Sequence, residues 1–475
     1  MTKRTSPIVL IQPLPCATNY IDQLCGALKE LKASSKLSIA QKLWLTTVLM
    51  GIVITRKLSW AAFERSTLNE CRQDGLRWMF SHSKIPWNSL IYASTKVLIK
   101  HYGVTSGTLT IDDSDKMRSR NTRKIAHVHK VRDKSTGGYG KGQEFIFMVI
   151  VTNTVTIPVD FRFYTPDPEL SAWKQENNRL KKQKVPTKQR PKRPSPDADY
   201  PTKEALALVM LRHFSDRFPE IHIKIITADA LYCTGSFMDK SNQYFPRSQV
   251  VTQLRKNQSV RCKNGNWTSL KTYFARNSGV DMELIVRGRE NKKVTMLGHR
   301  LEVKAHGKKR FIIALKYEGE SEYRYLVASH LSWRAIDIAR AYTLRWIIEV
   351  FIEDWKSHCG WNTLSKQQGV EGASRGVILS LLCDHMLLLH PEQSARLKSQ
   401  HPGLPVGCMI ERIKAEALIV TIEKIVVSDN PKDAFNYFSQ ALVEALPDRP
   451  SSKHMAGCDL GRQEPTESLK YQMAA

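Results

Sequence analysis

Three carboxylates are the residues of this chain best suited to metal-dependent chemistry. Asp113 lies near the end of a short β-rich run, TLTIDDS, and Asp229 ends the apolar run IHIKIITAD. Glu349 lies on an amphipathic helix predicted over residues 341–356. Carboxylate oxygens suit Mg²⁺ or Mn²⁺, and two such ions about 3.5–4 Å apart can drive phosphodiester transfer. The sequence therefore predicts a metal site for Asp113, Asp229 and Glu349.

The predicted helix AYTLRWIIEVFIEDWK has a polar stripe of mixed charge. At 100° per residue, Tyr342, Arg345, Glu349 and Lys356 share one face, while the apolar side chains lie opposite. A carboxylate among cations is suited to a divalent metal beside a bound polyanion. The alternative interpretation is a solvated face with i,i+4 ion pairs. Glu353 lies on the same face as Glu349.

The overall charge indicates a polyanionic partner. The 475 residues include 72 Lys and Arg against 45 Asp and Glu, for a net charge of +27. Nucleic acid is the usual partner of so basic a chain.

The nine cysteines form no CxxC pair, which argues against a zinc ribbon and for a reducing compartment. We expect no signal peptide, and the apolar run 43–54 is too short to span a membrane.

The predicted helices and strands divide the chain into several regions, which position the three acids. Residues 1–103 are predicted to be all-helical, which fits either a DNA-end-binding domain or a scaffold for the next domain. Strands predicted at 144–151 and 154–163 and a helix at 200–218 lie between the two aspartates. Strand-end carboxylates converge at one edge of a sheet. Residues 104–249 are thus predicted as the first part of a catalytic core.

The remaining regions are predicted from composition and pattern. The glycine-rich turn at 137–142 lacks the strand–loop–helix context of a nucleotide-binding loop. Residues 166–201, rich in Lys, Arg and Pro, are predicted to be a flexible basic loop that either contacts the nucleic-acid backbone or only solubilises. Residues 250–329 are predicted as a β-rich insertion. We expect the rest of the core at 330–390. A helical C-terminal region with a tail would follow at 391–475.

The spacing Tyr342-x2-Arg345-x3-Glu349-x6-Lys356 resembles the Y-R-E-K signature of bacterial cut-and-paste transposases of the fourth insertion-sequence family. The whole run YTLRWIIEVFIEDWK resembles the corresponding helix of the hairpin-forming members. The resemblance covers residues 109–360 in outline and is specific only around the three acids and the helix.

The resemblance implies an α/β fold with an RNase H-like mixed-sheet core, interrupted by a β-rich insertion before the catalytic glutamate. It implies that Asp113, Asp229 and Glu349 bind two Mg²⁺ ions, with Mn²⁺ able to substitute. DNA contacts are then expected from six residues: Tyr342, Arg345, Trp346, Lys356 and the basic pair Arg255 and Lys256. Asp112 remains an alternative to Asp113, although the family order of acid, Asp and Ser or Thr favours Asp113.

The expected function is a DNA transposase that nicks, excises through a hairpin and joins strands. Its partners would be double-stranded DNA, as terminal inverted repeats and target, and a second copy in a homodimeric synaptic complex, without a membrane. We expect a cytoplasmic, nucleoid-associated bacterial protein. The alternatives are a domesticated, non-catalytic DNA-binding regulator and a metal-dependent endonuclease that does not join strands.

Overall fold

The computed structural model of the chain describes residues 11–31, 36–67, 70–118, 122–133, 136–286, 290–359 and 367–445. The predicted polar tail from Pro447 lies outside these residues. The N-terminal region is helical, as expected. Its helices are α1 (Pro15–Leu31), α2 (Ile39–Thr55), α3 (Trp60–Ser66), α4 (Gln73–His82) and α5 (Trp87–Tyr102).

Helix α2 is the centre of this N-terminal bundle. Ser38 and Gln41 form a reciprocal capping box that satisfies backbone donors at the start of the helix. The residues that follow are apolar on nearly every side, and ten of them, from Trp44 to Val53, are buried. A helix that is apolar all round must be surrounded by other elements. Helices α1 and α5 share one core with it.

The central sheet has the strand order of an RNase H-like fold. Strands β1 (Ser106–Met117), β3 (Tyr139–Val151) and β4 (Thr156–Tyr164) pair antiparallel, while β2 (His129–Arg132) adds to β3. Strands β5 (His222–Ala228) and β6 (Gln249–Leu254) then lie parallel to β1. The resulting order, β4-β3-β1-β5-β6, is a mixed sheet whose parallel strands need crossover connections.

Two layers of helices cover this sheet. On one face, Ile146 and Met148 of β3 share a core with α7 (Lys203–Arg217). On the other face, Phe147 packs against Trp355, with ring centroids 4.9 Å apart. This alternation follows from the two-residue period of a strand. Further elements here are α8 (Gly235–Tyr244), α10 (Ala335–Thr343) and α11 (Trp346–His358).

The β-rich segment after β6 extends the same sheet. Its strands are β7 (Ser259–Arg261), β8 (Trp267–Ser269), β9 (Val280–Val286), β10 (Glu290–Val303), β11 (Lys308–Tyr317) and β12 (Arg324–Ala328), with α9 (Leu270–Phe274) between β8 and β9. β12 pairs antiparallel with β6, so the order continues β6-β12-β11-β10-β7-β8. The predicted start of the insertion at residue 250 falls inside β6, which also pairs with β5 of the core.

The segment predicted to be a flexible basic loop, residues 166–201, instead contains a helix, α6 (Pro168–Lys182). Asp167 caps it by accepting from the Leu170 amide at 3.1 Å, and Pro168 occupies its first turn. Basic side chains in the last turn suit the negative end of the helix dipole. None of its residues is buried, so no apolar stripe marked the helix in the sequence.

The helix predicted as continuous over residues 341–356 is divided between α10 and α11. Between them, the Leu344 and Arg345 amides donate to carbonyls three residues back, at 3.2 and 3.1 Å. Such 3₁₀-type bonds tighten the chain locally and change the angle between successive side chains. The polar stripe therefore crosses a junction between two helices.

Four more helices follow in the part of the chain that the structure describes. They are α12 (Gly369–Leu388), α13 (Pro391–Lys398), α14 (Val406–Val426) and α15 (Pro431–Ala445). α12 is largely buried and joins the N-terminal helices to the α11 face of the sheet. Among the described residues, no single helix is both long and apolar enough to cross a membrane.

Candidate active site

The register of β1 against β5 brings the predicted aspartates together. The last pair of this parallel ladder joins Ile111 to Ala228, so Asp112 and Asp229 follow side by side. Asp229 then turns the chain away, because its carboxylate accepts from the Leu231 amide at 2.7 Å. β1 continues beyond this point beside β3 alone, which leaves its other edge open.

Asp112 and Asp113 point to opposite faces of the sheet. Across the antiparallel ladder, Asp112 is paired with Phe147, whose ring packs under α11, and Asp113 with Ile146, which packs under α7. Directly opposed residues share a face. The two neighbouring acids therefore meet different partners.

Asp112 is held from the α11 side. The Arg345 guanidinium donates to its Oδ2 at 2.6 Å and also forms an ion pair with Glu349. Burial raises the pKa of Asp112 to about 6, although the Arg345 charge opposes the shift. Arg345 thus connects Asp112 to the predicted glutamate.

Asp113 is held from the α7 side. Lys203 Nζ lies 2.7 Å from its Oδ2 and 3.0 Å from Glu144 Oε1. His129 Nε2 lies 2.9 Å from the other oxygen of Glu144. These partners form a partly buried network beneath the open edge of β1.

The three aspartates form the acidic centre of a cleft of about 610 Å³. One carboxylate oxygen each from Asp112, Asp113 and Asp229 lies within 4.8 Å of the others. Burial also raises the pKa of Asp229. Crowded acids stay ionised more readily beside cations, and hard oxygen donors at this spacing fit a divalent metal ion.

Glu349 lies at the wall of this cleft rather than within the acidic cluster. Its side chain is 46% exposed, and its partner is Arg345. Glu353 and Lys356 line the same wall one and two turns further along α11. The Glu349 carboxylate can therefore leave Arg345 for another partner, because Arg345 keeps its ion pair with Asp112.

The predicted DNA contacts differ in where they lie. Arg345 and Lys356 line the cleft, and Tyr342 lies behind it, with its hydroxyl 3.5 Å from Gln253. Burial raises the pKa of Tyr342 to about 12. The other three predicted contacts, Trp346, Arg255 and Lys256, do not line the cleft. Lys256 instead forms an exposed ion pair with Glu322 at 2.8 Å.

Sequence reasoning missed Lys203, Glu144 and Gln253. Glu144 carried a signal, since it is a lone acid entering the apolar run FIFMVIV of β3. Gln253 carried no such signal, because β6 also contains Gln249 and Thr252. Lys203 had none, because nothing local distinguishes it from the other lysines around it.

Residues 199–383 match the family model described as a transposase DDE domain. The match includes Asp229 and Glu349 together with the β-rich segment between them, while Asp112 and Asp113 lie before its first residue. The matched segment thus contains two of the three predicted acids, and β1 brings the first acid beside Asp229.

No curated protein matches the chain. Among solved structures, the chain is similar to a piggyBac transposase in a synaptic complex with hairpin DNA. The two share 9% sequence identity with a TM-score of 0.41, and the alignment covers 95% of this chain and 87% of that one.

Proposed function

We propose that this protein is a DNA transposase that cuts and joins DNA with divalent metal ions. The observation that carries the proposal is the convergence of Asp112, Asp113 and Asp229 beside Glu349, in one cleft at the edge of an RNase H-like sheet. The match of residues 199–383 to a transposase DDE domain supports the same chemistry. The net charge of +27 suits a DNA substrate.

The proposed metal ligands are Asp113, Asp229 and Glu349, holding two Mg²⁺ ions for which Mn²⁺ can substitute. When bound, such ions activate the attacking oxygen and stabilise the leaving oxygen. We assign the first position to Asp113 because the family order favours it and because Arg345 occupies Asp112 Oδ2. Asp112 then fixes the arginine on the cleft wall.

The side chains around the acids suit a phosphate backbone. Arg345 and Lys356 present cations to the cleft, and charge-assisted bonds from such groups to phosphate are strong. Tyr342, stacked near Arg345 at 5.9 Å, restricts the guanidinium. Trp346, Arg255 and Lys256 lie outside the cleft lining, so their proposed contacts are with DNA further from the scissile phosphate.

The proposed reaction follows the Y-R-E-K resemblance. Water attacks the phosphodiester at each terminal inverted repeat and leaves a 3′-OH, which attacks the opposite strand and closes a hairpin. Opening of the hairpin regenerates the 3′-OH for transfer into target DNA. We propose that the protein acts in the bacterial cytoplasm at the nucleoid.

A homodimer is part of the proposal, and α14 supports it. Leu418, Ile419, Ile422 and Val426 are 41–66% exposed and fall within one 100° arc of this helix. The opposite face carries the buried side chains Met409, Ile413 and Ala417, among others. An apolar stripe of this kind suits a second copy of the chain.

The test is cleavage of a DNA fragment that carries the ends of the protein's own element. We expect Mg²⁺-dependent hairpinned ends that disappear with EDTA and with Glu349→Gln. Glu353→Gln is the matched control, because it changes an exposed acid on the same wall one turn away. End binding without cleavage would favour the non-catalytic regulator, and cleavage without joining would favour the endonuclease.

A further inference from the structure

Lys203 lies at an unfavourable place for a cation. It is the first residue of α7, directly after the N-cap Thr202, whose hydroxyl accepts from the Ala205 amide at 3.2 Å. The N-terminus of a helix carries a partial positive charge, so a lysine there is repelled. Its side chain is only 16% exposed, and burial adds a further penalty.

Two carboxylates compensate for this position. Asp113 Oδ2 lies 2.7 Å and Glu144 Oε1 3.0 Å from Lys203 Nζ, and together these carboxylates raise the pKa of the lysine despite its burial. The ammonium group also lies 5.2 Å above the ring of Tyr164. Lys203 therefore bridges α7 to β1 and β3 through two ion pairs.

The far side of the bridge is fixed to the sheet. Glu144 uses its second oxygen on His129 at 2.9 Å, and the other nitrogen of this histidine lies 3.0 Å from the His127 carbonyl. Asp113, by contrast, reaches the cleft, where it lies beside Asp229. The network has one anchored end and one end at the proposed metal site.

We propose that Lys203 is a positioning residue for Asp113. By binding Oδ2 from the α7 side, it fixes the carboxylate and leaves Oδ1 as the oxygen for a divalent cation in the cleft. Carboxylate ligands of metals are commonly oriented by such partners, and loss of the partner costs about 10–100-fold in metal affinity or activity. This inference rests on the proposed function, since Asp113 is a ligand only there.

Charge alone predicts the opposite effect. A lysine near a dication repels it, so removal of the lysine should tighten metal binding if its role is only electrostatic. If Lys203 orients Asp113, its removal should weaken binding. The sign of the change therefore separates positioning from charge balance.

The experiment measures Mn²⁺ affinity by calorimetry on the full chain, together with the Mg²⁺ dependence of single-turnover end cleavage. Lys203→Met should weaken Mn²⁺ binding by about 10–100-fold, and Lys203→Arg should restore most of it. Lys224→Met is the control, because Lys224 is an exposed lysine of neighbouring β5. Circular dichroism and thermal unfolding check that each variant is folded.

Glu144→Gln is a second, milder variant that keeps the volume of the side chain. It should weaken Mn²⁺ binding by less than Lys203→Met, because Lys203 keeps Asp113 as its partner. Equal or tighter binding in folded Lys203→Met would overturn the inference. Asp113→Asn tests the proposed function separately. If this variant binds Mn²⁺ as tightly as the wild type, Asp113 is not a metal ligand, and the proposed function fails at this residue instead.

Discussion

Asp112 and Asp113 are adjacent on β1, yet their carboxylates bind cations on opposite faces of the sheet. Arg345 holds Asp112 from the α11 side, and Lys203 holds Asp113 from the α7 side. Both acids still reach the same cluster with Asp229 because β5 ends beside them. In the proposed site, the pair therefore divides two tasks, metal binding by Asp113 and the fixing of Arg345 by Asp112.

Asparagine at each position should separate these tasks. Asp113→Asn should slow Mg²⁺-dependent cleavage by a factor of about 10³ or more, because a metal ligand worth several kcal/mol is lost. DNA binding by this variant should persist. Asp112→Asn should reduce cleavage less and should lower affinity for the DNA ends, because Arg345 loses one of its two carboxylate partners and keeps only the exposed Glu349. Single-turnover cleavage and gel-shift titration measure the two effects.

Each asparagine variant is the control for the other, since both remove one charge from the same strand. The reverse result, with cleavage lost in Asp112→Asn and retained in Asp113→Asn, would reassign the first metal ligand to Asp112.

The core of the fold was accessible to sequence reasoning because its signals are local. The helical N-terminal region was readable from local apolar patterns, such as the run 43–54, which lies within α2. The mixed α/β, RNase H-like fold was confirmed. Helix α6 was missed because it buries nothing, and the break before Trp346 was missed because 3₁₀ bonds leave no mark in residue type.

The site was accessible only in part, for a different reason. The spacing around Glu349 and the end of β5 before Asp229 are readable along the chain. Asp113 was predicted near the end of its strand, but β1 continues to Met117, and it is β5 that ends beside the acid. The bridges from Arg345 to Asp112 and from Lys203 to Asp113 join residues 233 and 90 positions apart. Such contacts depend on sheet register and helix packing, which no local pattern encodes.

Lys356→Ala should impair end processing more than general DNA binding. Its side chain lines the cleft beside the acids, and loss of one charge-assisted bond to a phosphate costs about 1.5–3 kcal/mol, or roughly 10–150-fold in hairpin yield. Lys188→Ala, in the basic segment away from the cleft, should instead lower only non-specific affinity. An unchanged hairpin yield in Lys356→Ala would count against its assigned contact.

The exposed arc of α14 should hold two copies together. Ile422→Lys places a charge at its centre and should convert a dimer on end DNA into a monomer, measured by light scattering after size-exclusion chromatography. Glu423→Gln, at the neighbouring exposed position, should leave the dimer intact. A wild-type protein that is monomeric both free and on DNA would refute the proposed interface.

Asp384 should make the stability of the fold depend on pH. It lies within buried α12, and burial, with the nearby Asp354 carboxylate, raises its pKa to about 7 from 3.8. Between these values the folded state holds the proton that the unfolded state has lost. Stability from this group therefore falls as pH rises, by up to about 1.4 kcal/mol per pH unit between pH 4 and 7.

Asp384→Asn keeps the shape of the neutral acid and removes the titration. Urea unfolding at pH 5 and pH 7.5 should show that the variant gains stability relative to wild type by about 2–3 kcal/mol at the higher pH. The comparison between proteins cancels the other titrating groups, including those whose effect has the opposite sign. A constant difference at both pH values would mean that Asp384 is ionised in the folded protein, with its charge balanced within the α12 core.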